Sequence, residues 1–237
     1  MPGALRVAVV IPAFDEAAAL PAVLAALPAA GEGWRIERTL VVDNGSSDGT
    51  GVVARAAGAE VCAEPRRGYG AACLAGLDEL RGAPPQAVAF LDADGSDEPA
   101  DLGAVLAPLA AGTADLVVGS RELGARERGS LTPLQRLGNA LAARLLAAFY
   151  GARVTDLGPL RAMEWHALES LGMRDRDYGW TVEMQARALR SGLRVTEVPV
   201  HHRARRAGRS KVSGTARGVL GAGWKILYII ARVRLGG

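Results

Sequence analysis

Three carboxylates follow an uninterrupted apolar run in the segment AVAFLDADGSDEP. The run, Ala87–Leu91, has the pattern of a strand buried on both faces, and Asp92, Asp94 and Asp97 come directly after it. Side chains two residues apart point the same way along an extended backbone, so the carboxylates of Asp92 and Asp94 should converge. Oxygen ligands of this kind favour Mg2+ or Mn2+, which commonly bridge a protein to substrate phosphates. A solvated acidic turn is the alternative.

Two earlier segments also place acids at the ends of predicted strands. The strand Leu5–Ile11 is followed by a loop with Asp15 and Glu16 and then by a helix, and the strand Arg38–Val42 is followed by Asp43, a polar loop and a second helix. This repeat is typical of the βαβ units of a nucleotide-binding sheet. Ligands of such open sheets bind outside the carboxyl ends of the strands. We therefore expect these acids to lie in one crevice with the aspartate pair.

A third unit carries two glycines at the start of a helix. The short strand Glu60–Ala63 is followed by Gly68, Tyr69 and Gly70, and a helix is predicted over Ala71–Leu80. Glycines allow a backbone to approach a ligand closely, and a helix N-terminus offers free N–H groups to an anion. This pattern alone is weak evidence for a phosphate site.

Arg121 also follows a predicted buried strand, Asp115–Val118. Its position predicts a cation in the same crevice. A surface ion pair with Glu122 or a neighbouring acid is the alternative.

Asp156 and Glu183 are the candidate general bases of the second half of the chain. Asp156 follows a predicted apolar helix, Leu131–Tyr150, and an ion pair with Arg161 is its alternative. Glu183 lies near the start of the predicted helix Tyr178–Arg190, where the helix dipole favours an anion, so a capping role competes with a catalytic one.

The basic tract 201–211, HHRARRAGRSK, predicts an anionic ligand. Its five cations are Arg203, Arg205, Arg206, Arg209 and Lys211. A nucleic-acid surface is disfavoured because no aromatic platform is interleaved with them.

Composition places the chain among ordinary globular proteins. Its 237 residues are 49% hydrophobic and 22% charged, and 28 basic against 25 acidic residues give a net charge of +3. The two cysteines, Cys62 and Cys73, lack metal-type spacing and fit a reducing cytosol. The first residues lead straight into a strand without a secretory signal pattern, so we expect an intracellular protein.

The C-terminal segment GVLGAGWKILYIIARVRLGG predicts an amphipathic helix over residues 218–237, after a domain of residues 1–217. A membrane span needs about 20 predominantly apolar residues, and the charged Lys225 and Arg232 leave no apolar stretch of that length here. These cations should share one face, with Trp224 and Tyr228 at the depth of lipid headgroups. The alternatives are a helix that packs on the catalytic domain or on the partner subunit of a homodimer.

Seven motifs in order along nearly the whole chain resemble glycosyltransferase family 2, and within it the dolichyl- and polyprenyl-phosphate mannosyl- and glucosyltransferases. The motifs are IPAFDE (11–16), VVDNGSSDGT (41–50), RRGYGAA (66–72), LDADGSDEP (91–99), GSR (119–121), TDLGPLRA (155–162) and RRAGRSK (205–211). The resemblance implies a GT-A fold, in which a Rossmann-like, mostly parallel sheet is flanked by helices. It also implies a nucleotide-diphosphate sugar donor, a divalent metal and inversion at the anomeric carbon.

The resemblance assigns roles to individual residues. The nucleotide-sugar site would comprise Pro12, Ala13, Asp15, Glu16, Asp43, Gly68, Tyr69, Gly70, Asp92, Ala93, Asp94, Arg205 and Ser210, and the metal ligands would be Asp92, Asp94 and Ser96. The catalytic residues would be Arg121, Asp156 and Lys211, to which we add Glu183 from its place near a helix start. Two positions depart from the family pattern. Tyr69 replaces a lysine that relatives often carry, and Ser96 replaces a glutamine that commonly binds the metal.

We therefore expect transfer of a hexose, glucose from UDP-glucose, to a polyprenyl phosphate at the cytoplasmic membrane face. A phosphate acceptor is already anionic near neutral pH and needs no strong base, whereas a hydroxyl acceptor does. A soluble hydroxyl acceptor and GDP-mannose as donor are the nearest alternatives. A sugar-1-phosphate nucleotidyltransferase and a catalytically silent nucleotide-sugar-binding protein are more distant ones.

Overall fold

The computed structural model describes residues 3–205 and 216–235, and strands and helices alternate along them. The strands are β1 (Leu5–Ala13), β2 (Ala30–Gly31), β3 (Trp34–Asp43), β4 (Glu60–Ala63), β5 (Ala87–Phe90), β6 (Leu116–Ser120), β7 (Arg161–Glu164) and β8 (Val195–Pro199). The helices are α1 (Leu20–Ala25), α2 (Thr50–Ala56), α3 (Tyr69–Leu80), α4 (Leu102–Ala110), α5 (Pro133–Tyr150), α6 (Trp165–Leu171), α7 (Trp180–Arg190) and α8 (Ala216–Arg234).

The strands form one mostly parallel sheet, as the sequence predicted. Its order is β2-β3-β1-β5-β7-β6-β8, and β4 pairs with the carboxyl half of β3. The pairs β1–β3, β1–β5, β3–β4 and β6–β8 are parallel, whereas β7 runs antiparallel to both of its neighbours, β5 and β6.

The sequence analysis did not predict β7 or α6. β7 has only four residues, RAME, with charged side chains at both ends, so no apolar run marks it. Its Arg161 is nevertheless buried, because the guanidinium donates to the backbone carbonyls of Leu157, Gly158 and Thr181.

The parallel register brings three strand ends to one edge of the sheet. Ala13, the last residue of β1, pairs with Asp43, the last residue of β3. Phe90, the last residue of β5, pairs with Val10 of β1. The loops that leave these strands therefore begin side by side, with the aspartate pair in the third of them.

Each face of the sheet is covered by helices. The strands are apolar on both faces, and their side chains form one cluster with α1 and α4 and another with α3, α6 and α7. Burial of this kind contributes about 25 cal/mol per Å² of apolar surface removed from water. The sheet and its helices therefore give the loops at its carboxyl edge a rigid base.

α8 packs on the domain through its apolar face. Ile229, Ile230 and Val233 are fully buried in a third cluster with α5 and α7. Packing on the catalytic domain, which the sequence left open as an alternative, is thus observed. Trp224 and Tyr228, by contrast, face outward, with 74% and 51% exposure.

The sequence predicted that the cations of α8 face a lipid surface, and this orientation is wrong. Lys225 lies 3.0 Å from Asp175, and Arg232 lies 2.9 Å from Glu183. Both carboxylates are buried, so these cations point towards the domain and not away from it. A helical wheel could not show this, because it contains no information about acids elsewhere in the chain. Among the described residues, no helix combines the length and apolar character that crossing a membrane requires.

Replacing Ile229 with alanine tests the packing of α8. Because the side chain is fully buried, Ile229→Ala should lower the free energy of unfolding by about 2–5 kcal/mol, as large-to-small core substitutions do. Trp224→Ala, on the outward face of the same helix, should change it by about 0.5 kcal/mol or less. Chemical denaturation of both variants provides the measurement, and equally small effects would contradict the observed packing.

Candidate active site

A pocket of about 280 Å³ opens at the carboxyl edge of the sheet, beside the ends of β1 and β5. Nine residues of the expected nucleotide-sugar site line it: Pro12, Ala13, Glu16, Gly68, Tyr69, Asp92, Ala93, Asp94 and Arg205. Five lining residues were not predicted: Phe14, Asn44, Arg67, Ala72 and Tyr178. The expected residues Ser210 and Lys211 lie outside the described residues.

Asp92 and Asp94 bring negative charge together at the base of this pocket. Oδ1 of Asp92 is buried without a hydrogen-bond partner among the described residues. Burial, followed by the charges of Asp94 and Asp97, raises the pKa of Asp92 to about 8. Oδ1 of Asp94 accepts a hydrogen bond of 2.9 Å from the N–H of Ser96, which therefore orients this carboxylate.

The donor set fits a divalent cation that also binds a ligand. The described residues contain no group of three or more histidine, cysteine, aspartate or glutamate side chains that could hold a metal. Mg2+ and similar ions are commonly held by one or two carboxylates, with substrate phosphates completing the coordination. The unpartnered oxygen of Asp92 and the repulsion between Asp92 and Asp94 both favour a bound cation.

Arg205 bridges two acids of the pocket. Its guanidinium lies 2.9 Å from Oε1 of Glu16 and 2.9 Å from Oδ2 of Asp94. The residues before it pair with the same acidic segment: His201 with Asp101, His202 with Asp97 and Arg203 with Glu98. The first part of the basic tract therefore contacts the protein's own carboxylates, and Arg203 and Arg205 neutralise their partners there.

Asp15 and Asp43 lie beside the pocket and do not line it. Oδ1 of Asp15 accepts a hydrogen bond of 2.7 Å from the N–H of Ser47, and Oδ1 of Asp43 accepts one of 2.8 Å from the N–H of Ser46. The first contact fastens the loop after β1 to the loop after β3, and the second lies within the loop after β3. Of the four acids expected in one crevice, only Glu16 and Asp92 line the pocket.

Asn44 holds the neighbouring wall in place. Its Nδ2 donates hydrogen bonds of 2.8 Å to the carbonyls of Glu64 and Arg66, and its Oδ1 accepts one of 2.9 Å from the N–H of Gly68. The sequence signal for this role was its position directly after a strand end, next to Asp43.

Arg67 and Phe14 form a contact that sequence spacing could not reveal. The Arg67 guanidinium carbon lies 3.5 Å from the centre of the Phe14 ring. This cation–π pair joins the loop after β1 to the loop after β4 across the pocket mouth.

The reason proposed for Gly68 and Gly70 was wrong. A Cβ atom at either position would lie 2.1 Å from a backbone carbonyl oxygen, that of Arg176 or Asp175, so protein and not ligand makes the close approach. Two N–H groups of the first helix turn are also occupied, because Ala71 donates to the carbonyl of Arg176 and Gly70 to that of Asp177. Gly68 has a φ of +144°, a conformation that further restricts the position to glycine.

Arg121 pairs with Asp156, and neither residue lines the pocket. Its Nε and Nη2 donate to the two carboxylate oxygens at 2.8 and 2.7 Å, and its backbone N–H donates at 2.8 Å. Burial acts to raise the pKa of Asp156, but the hydrogen bonds and charge of Arg121 hold it below its ordinary value. Arg161 contacts carbonyls, so the Asp156–Arg161 pair considered from the sequence does not form.

Glu183 is fully buried within α7 and also lies outside the pocket lining. Its Oε2 accepts backbone hydrogen bonds from Arg174 and Asp175, and its Oε1 accepts from Arg187 and Arg232. The carboxylate therefore holds the loop before α7 and does not cap its own helix.

The sequence profile of Glycosyl transferase family 2 matches residues 8–172. An uncharacterized glycosyltransferase of Mycobacterium tuberculosis is 42% identical over 93% of this chain and 97% of that protein. The undecaprenyl-phosphate mannosyltransferase of Micrococcus luteus is 34% identical over 89% of this chain and 88% of its own length.

Among solved structures, the fold is similar to that of a glucosyl-3-phosphoglycerate synthase from Mycobacterium tuberculosis, in complex with Mn2+, UDP and glucosyl-3-phosphoglycerate. The TM-score is 0.75 at 22% identity, over 97% of this chain and 80% of that one. This likeness shows the fold, and the GT-A architecture implied by the sequence motifs is confirmed.

The Asp156–Arg121 pair predicts a specific acid sensitivity. Because the pKa of folded Asp156 lies below the ordinary value of 3.8, the pair stabilises the protein above that pH and is lost as the pH falls through the lower folded value. Asp156→Asn should lower the free energy of unfolding at pH 7 by about 3–5 kcal/mol, since it leaves a buried guanidinium unpaired.

The same variant should lose less additional stability than the wild type between about pH 4 and pH 2, because asparagine has no proton to bind there. Urea denaturation across this range gives the measurement. Glu169→Gln removes a carboxylate paired with Arg81 at the surface and serves as the control. If the free energies of unfolding of the wild type and of Asp156→Asn fell in parallel over this pH range, the assignment would be contradicted.

Proposed function

Because the chain belongs to glycosyltransferase family 2, we propose that it transfers a hexosyl group from a nucleotide-diphosphate sugar to a polyprenyl phosphate. The observation that carries the proposal is the pocket itself, where Glu16, Asp92, Asp94 and Arg205 meet at the carboxyl edge of a nucleotide-binding type of sheet. Membership of the family shows that the chain is a glycosyltransferase. Our proposal concerns the identity of the donor and of the acceptor.

The residues that line the pocket suit the two ends of the donor. Pro12, Ala13 and the Phe14–Arg67 pair offer an apolar wall with a cationic rim, which suits a nucleoside. Asp94 and Arg205, which also line the pocket, offer a carboxylate and a guanidinium in contact, which suits a diphosphate bridged by a cation.

Mg2+ or Mn2+ would be held by Asp92 and Asp94, with Ser96 as a further ligand. When bound, the ion would neutralise charge on the leaving nucleoside diphosphate. Arg205 stands beside the same carboxylates and can supply a second positive charge to the diphosphate. Its pairing with Glu16 fixes the guanidinium before the donor arrives, which lowers the cost of ordering it.

The acceptor proposal is supported by where the candidate bases lie. A hydroxyl acceptor requires a general base within hydrogen-bonding reach, whereas a phosphate acceptor is already anionic. Asp156 and Glu183 are buried outside the pocket lining and bind protein groups. This arrangement favours polyprenyl phosphate over a soluble hydroxyl acceptor, and it gives Asp156, Glu183 and Arg121 the task of positioning the site.

Two donors remain to be distinguished. UDP-glucose is the donor expected from the sequence, and a solved structure of the same fold holds UDP. The similarity to the mannosyltransferase of Micrococcus luteus supports mannose as the transferred sugar. GDP-mannose is the alternative donor considered from the sequence. Thermal shift with each nucleotide sugar in the presence of Mn2+ separates these donors directly.

A lipid acceptor requires contact with a membrane surface, and the outward faces of α5 and α8 suit one. On α5, Leu134, Leu137 and Leu141 are exposed at helical spacing. On the neighbouring α8, Trp224 and Tyr228 are exposed, and such aromatic residues are favoured where an apolar phase meets water. We call these five side chains the apolar surface. Arg136 and Arg144 of α5 are also exposed, and such cations suit anionic lipid.

Asp94→Asn tests the metal site. We expect turnover in Mn2+ to fall by about 100-fold or more, since loss of a metal ligand removes several kcal/mol of transition-state stabilisation. Calorimetric titration should also show weaker Mn2+ binding in the presence of the nucleoside diphosphate. Asp101→Asn, in the same acidic segment but paired with His201 outside the pocket, is the matched control. Full Mn2+-dependent turnover of Asp94→Asn would refute the assignment.

The apolar surface is tested by replacing Leu137 and Trp224 with serine. The double variant should sediment less with vesicles of anionic phospholipid and lose activity on a long polyprenyl phosphate, while activity on a short, water-soluble prenyl phosphate is kept. Val52→Ser removes an apolar side chain of 69% exposure on α2 and should change neither result.

Two results would contradict the membrane role. The double variant could sediment with vesicles as the wild type does, or its activity could fall equally on the long and the short acceptor. A wild-type protein that elutes as a dimer, and a double variant that elutes as a monomer, would instead assign this surface to a second copy of the chain.

A further inference from the structure

The segment 172–179, between α6 and α7, forms part of the pocket and rests on its wall. Tyr178 lines the pocket. The carbonyls of Asp175 and Arg176 lie so close to Gly68 and Gly70 that neither glycine could carry a Cβ atom. A shift of this segment would therefore change both Tyr178 and the wall that contains Gly68 and Tyr69.

Two buried carboxylates fix the course of this segment. Oδ1 of Asp175 accepts hydrogen bonds of 2.9 Å from the N–H of Asp177 and 3.0 Å from that of Gly179. Oε2 of Glu183 accepts the N–H groups of Arg174 and Asp175 at 3.0 and 2.7 Å. The backbone on both sides of Arg176 is thus tied to acids that are shielded from water.

α8 supplies a cation to each of these carboxylates. Lys225 Nζ lies 3.0 Å from Oδ2 of Asp175, and Arg232 Nη2 lies 2.9 Å from Oε1 of Glu183. Glu183 also pairs with Arg187 of its own helix. Among the described residues, Lys225 is the cation that pairs with Asp175, so this contact is the more sensitive of the two.

We propose that Lys225 is a positioning residue for the nucleotide pocket, acting through Asp175 on the segment 172–179 and hence on Tyr178. The inference rests on the proposed function, since it assigns the consequence of this contact to donor binding. A buried carboxylate that loses its cation is strongly destabilised. The segment would relax to bring Asp175 towards water, and the carbonyls against Gly68 and Gly70 would move with it.

The contact also connects the pocket to the outward face of α8. Lys225 follows the exposed Trp224 directly in sequence and precedes the exposed Tyr228 by three residues. Any displacement of this helix turn acts on Asp175. The position of α8 on the domain is thereby coupled to the shape of the donor pocket.

Calorimetric titration of UDP and GDP with Mn2+ tests the inference on the full chain. Lys225→Met keeps the length and apolar stem of the side chain and removes its charge. We expect the Kd of the preferred nucleotide to rise by about five- to ten-fold, and KM for the donor to rise similarly with a smaller change in kcat, because the pocket is misplaced and the reacting groups are kept.

Three variants separate positioning from general effects. Lys225→Arg should retain affinity near that of the wild type. Asp175→Asn should weaken binding, and adding Lys225→Met to it should weaken binding little further, since the two residues act through one contact. Arg234→Met removes a cation from the last turn of α8 that has no carboxylate partner among the described residues, and it should leave the Kd unchanged.

The outcomes distinguish this inference from the function on which it rests. Wild-type protein that binds neither nucleotide would overturn the proposed function and the inference with it. Wild-type protein that binds, with an unchanged Kd in Lys225→Met, would overturn the inference alone, even if the melting temperature falls. Equal weakening by Arg234→Met would also overturn it, because the effect would then come from net charge.

Discussion

The concentration of negative charge at the carboxyl edge of the sheet is the constraint on which the rest of the site depends. Asp92, Asp94 and Asp97 lie within one stretch of six residues after β5. Glu16, in the loop after the neighbouring strand β1, lines the same pocket as Asp92 and Asp94. Burial, followed by the charges of Asp94 and Asp97, raises the pKa of Asp92, because like charges in a poorly hydrated place are costly. The chain after β8 returns along this segment and supplies His202 and Arg205 to it, so the pocket is assembled from distant parts of the sequence by charge compensation.

A second set of buried carboxylates extends the same principle away from the pocket. Asp175 and Glu183 each accept backbone N–H groups with one carboxylate oxygen and pair with a cation through the other. Each oxygen of Asp156 accepts both a backbone N–H and a guanidinium N–H of Arg121. Such a carboxylate fixes a loop and a side chain together, and it is costly to disturb because its charge is shielded from water. Of the four cations that pair with them, Lys225 and Arg232 come from α8, which therefore belongs to the framework of the site as well as to the outer surface.

The sequence predicted the features that depend on local pattern. Apolar runs located β5 and the other parallel strands, and the rule for open sheets located Glu16, Asp92 and Asp94 at their carboxyl ends. β7 was missed because four residues with charged ends carry no strand pattern, and its place in the sheet depends on pairing with β5 and β6.

Partners far apart in the sequence could not be predicted in the same way. The glycine pair at 68 and 70 has the spacing of a phosphate loop, yet it accommodates carbonyls that lie more than 100 residues later in the chain. Lys225 and Arg232 have the spacing of a lipid-facing stripe, yet buried acids attract them inward. In both cases the spacing is present in the sequence, but a tertiary contact decides what the residues do.

The most direct test of the account is the identification of the product. Purified protein would be incubated with Mn2+, a polyprenyl phosphate and UDP-glucose or GDP-mannose carrying radiolabel in the sugar, and the label would be followed between the aqueous and organic phases. The account predicts metal-dependent transfer of label from one of these donors into the lipid phase, with release of the nucleoside diphosphate. Label that stays in the aqueous phase with both donors, or that reaches only a soluble hydroxyl acceptor, would contradict it.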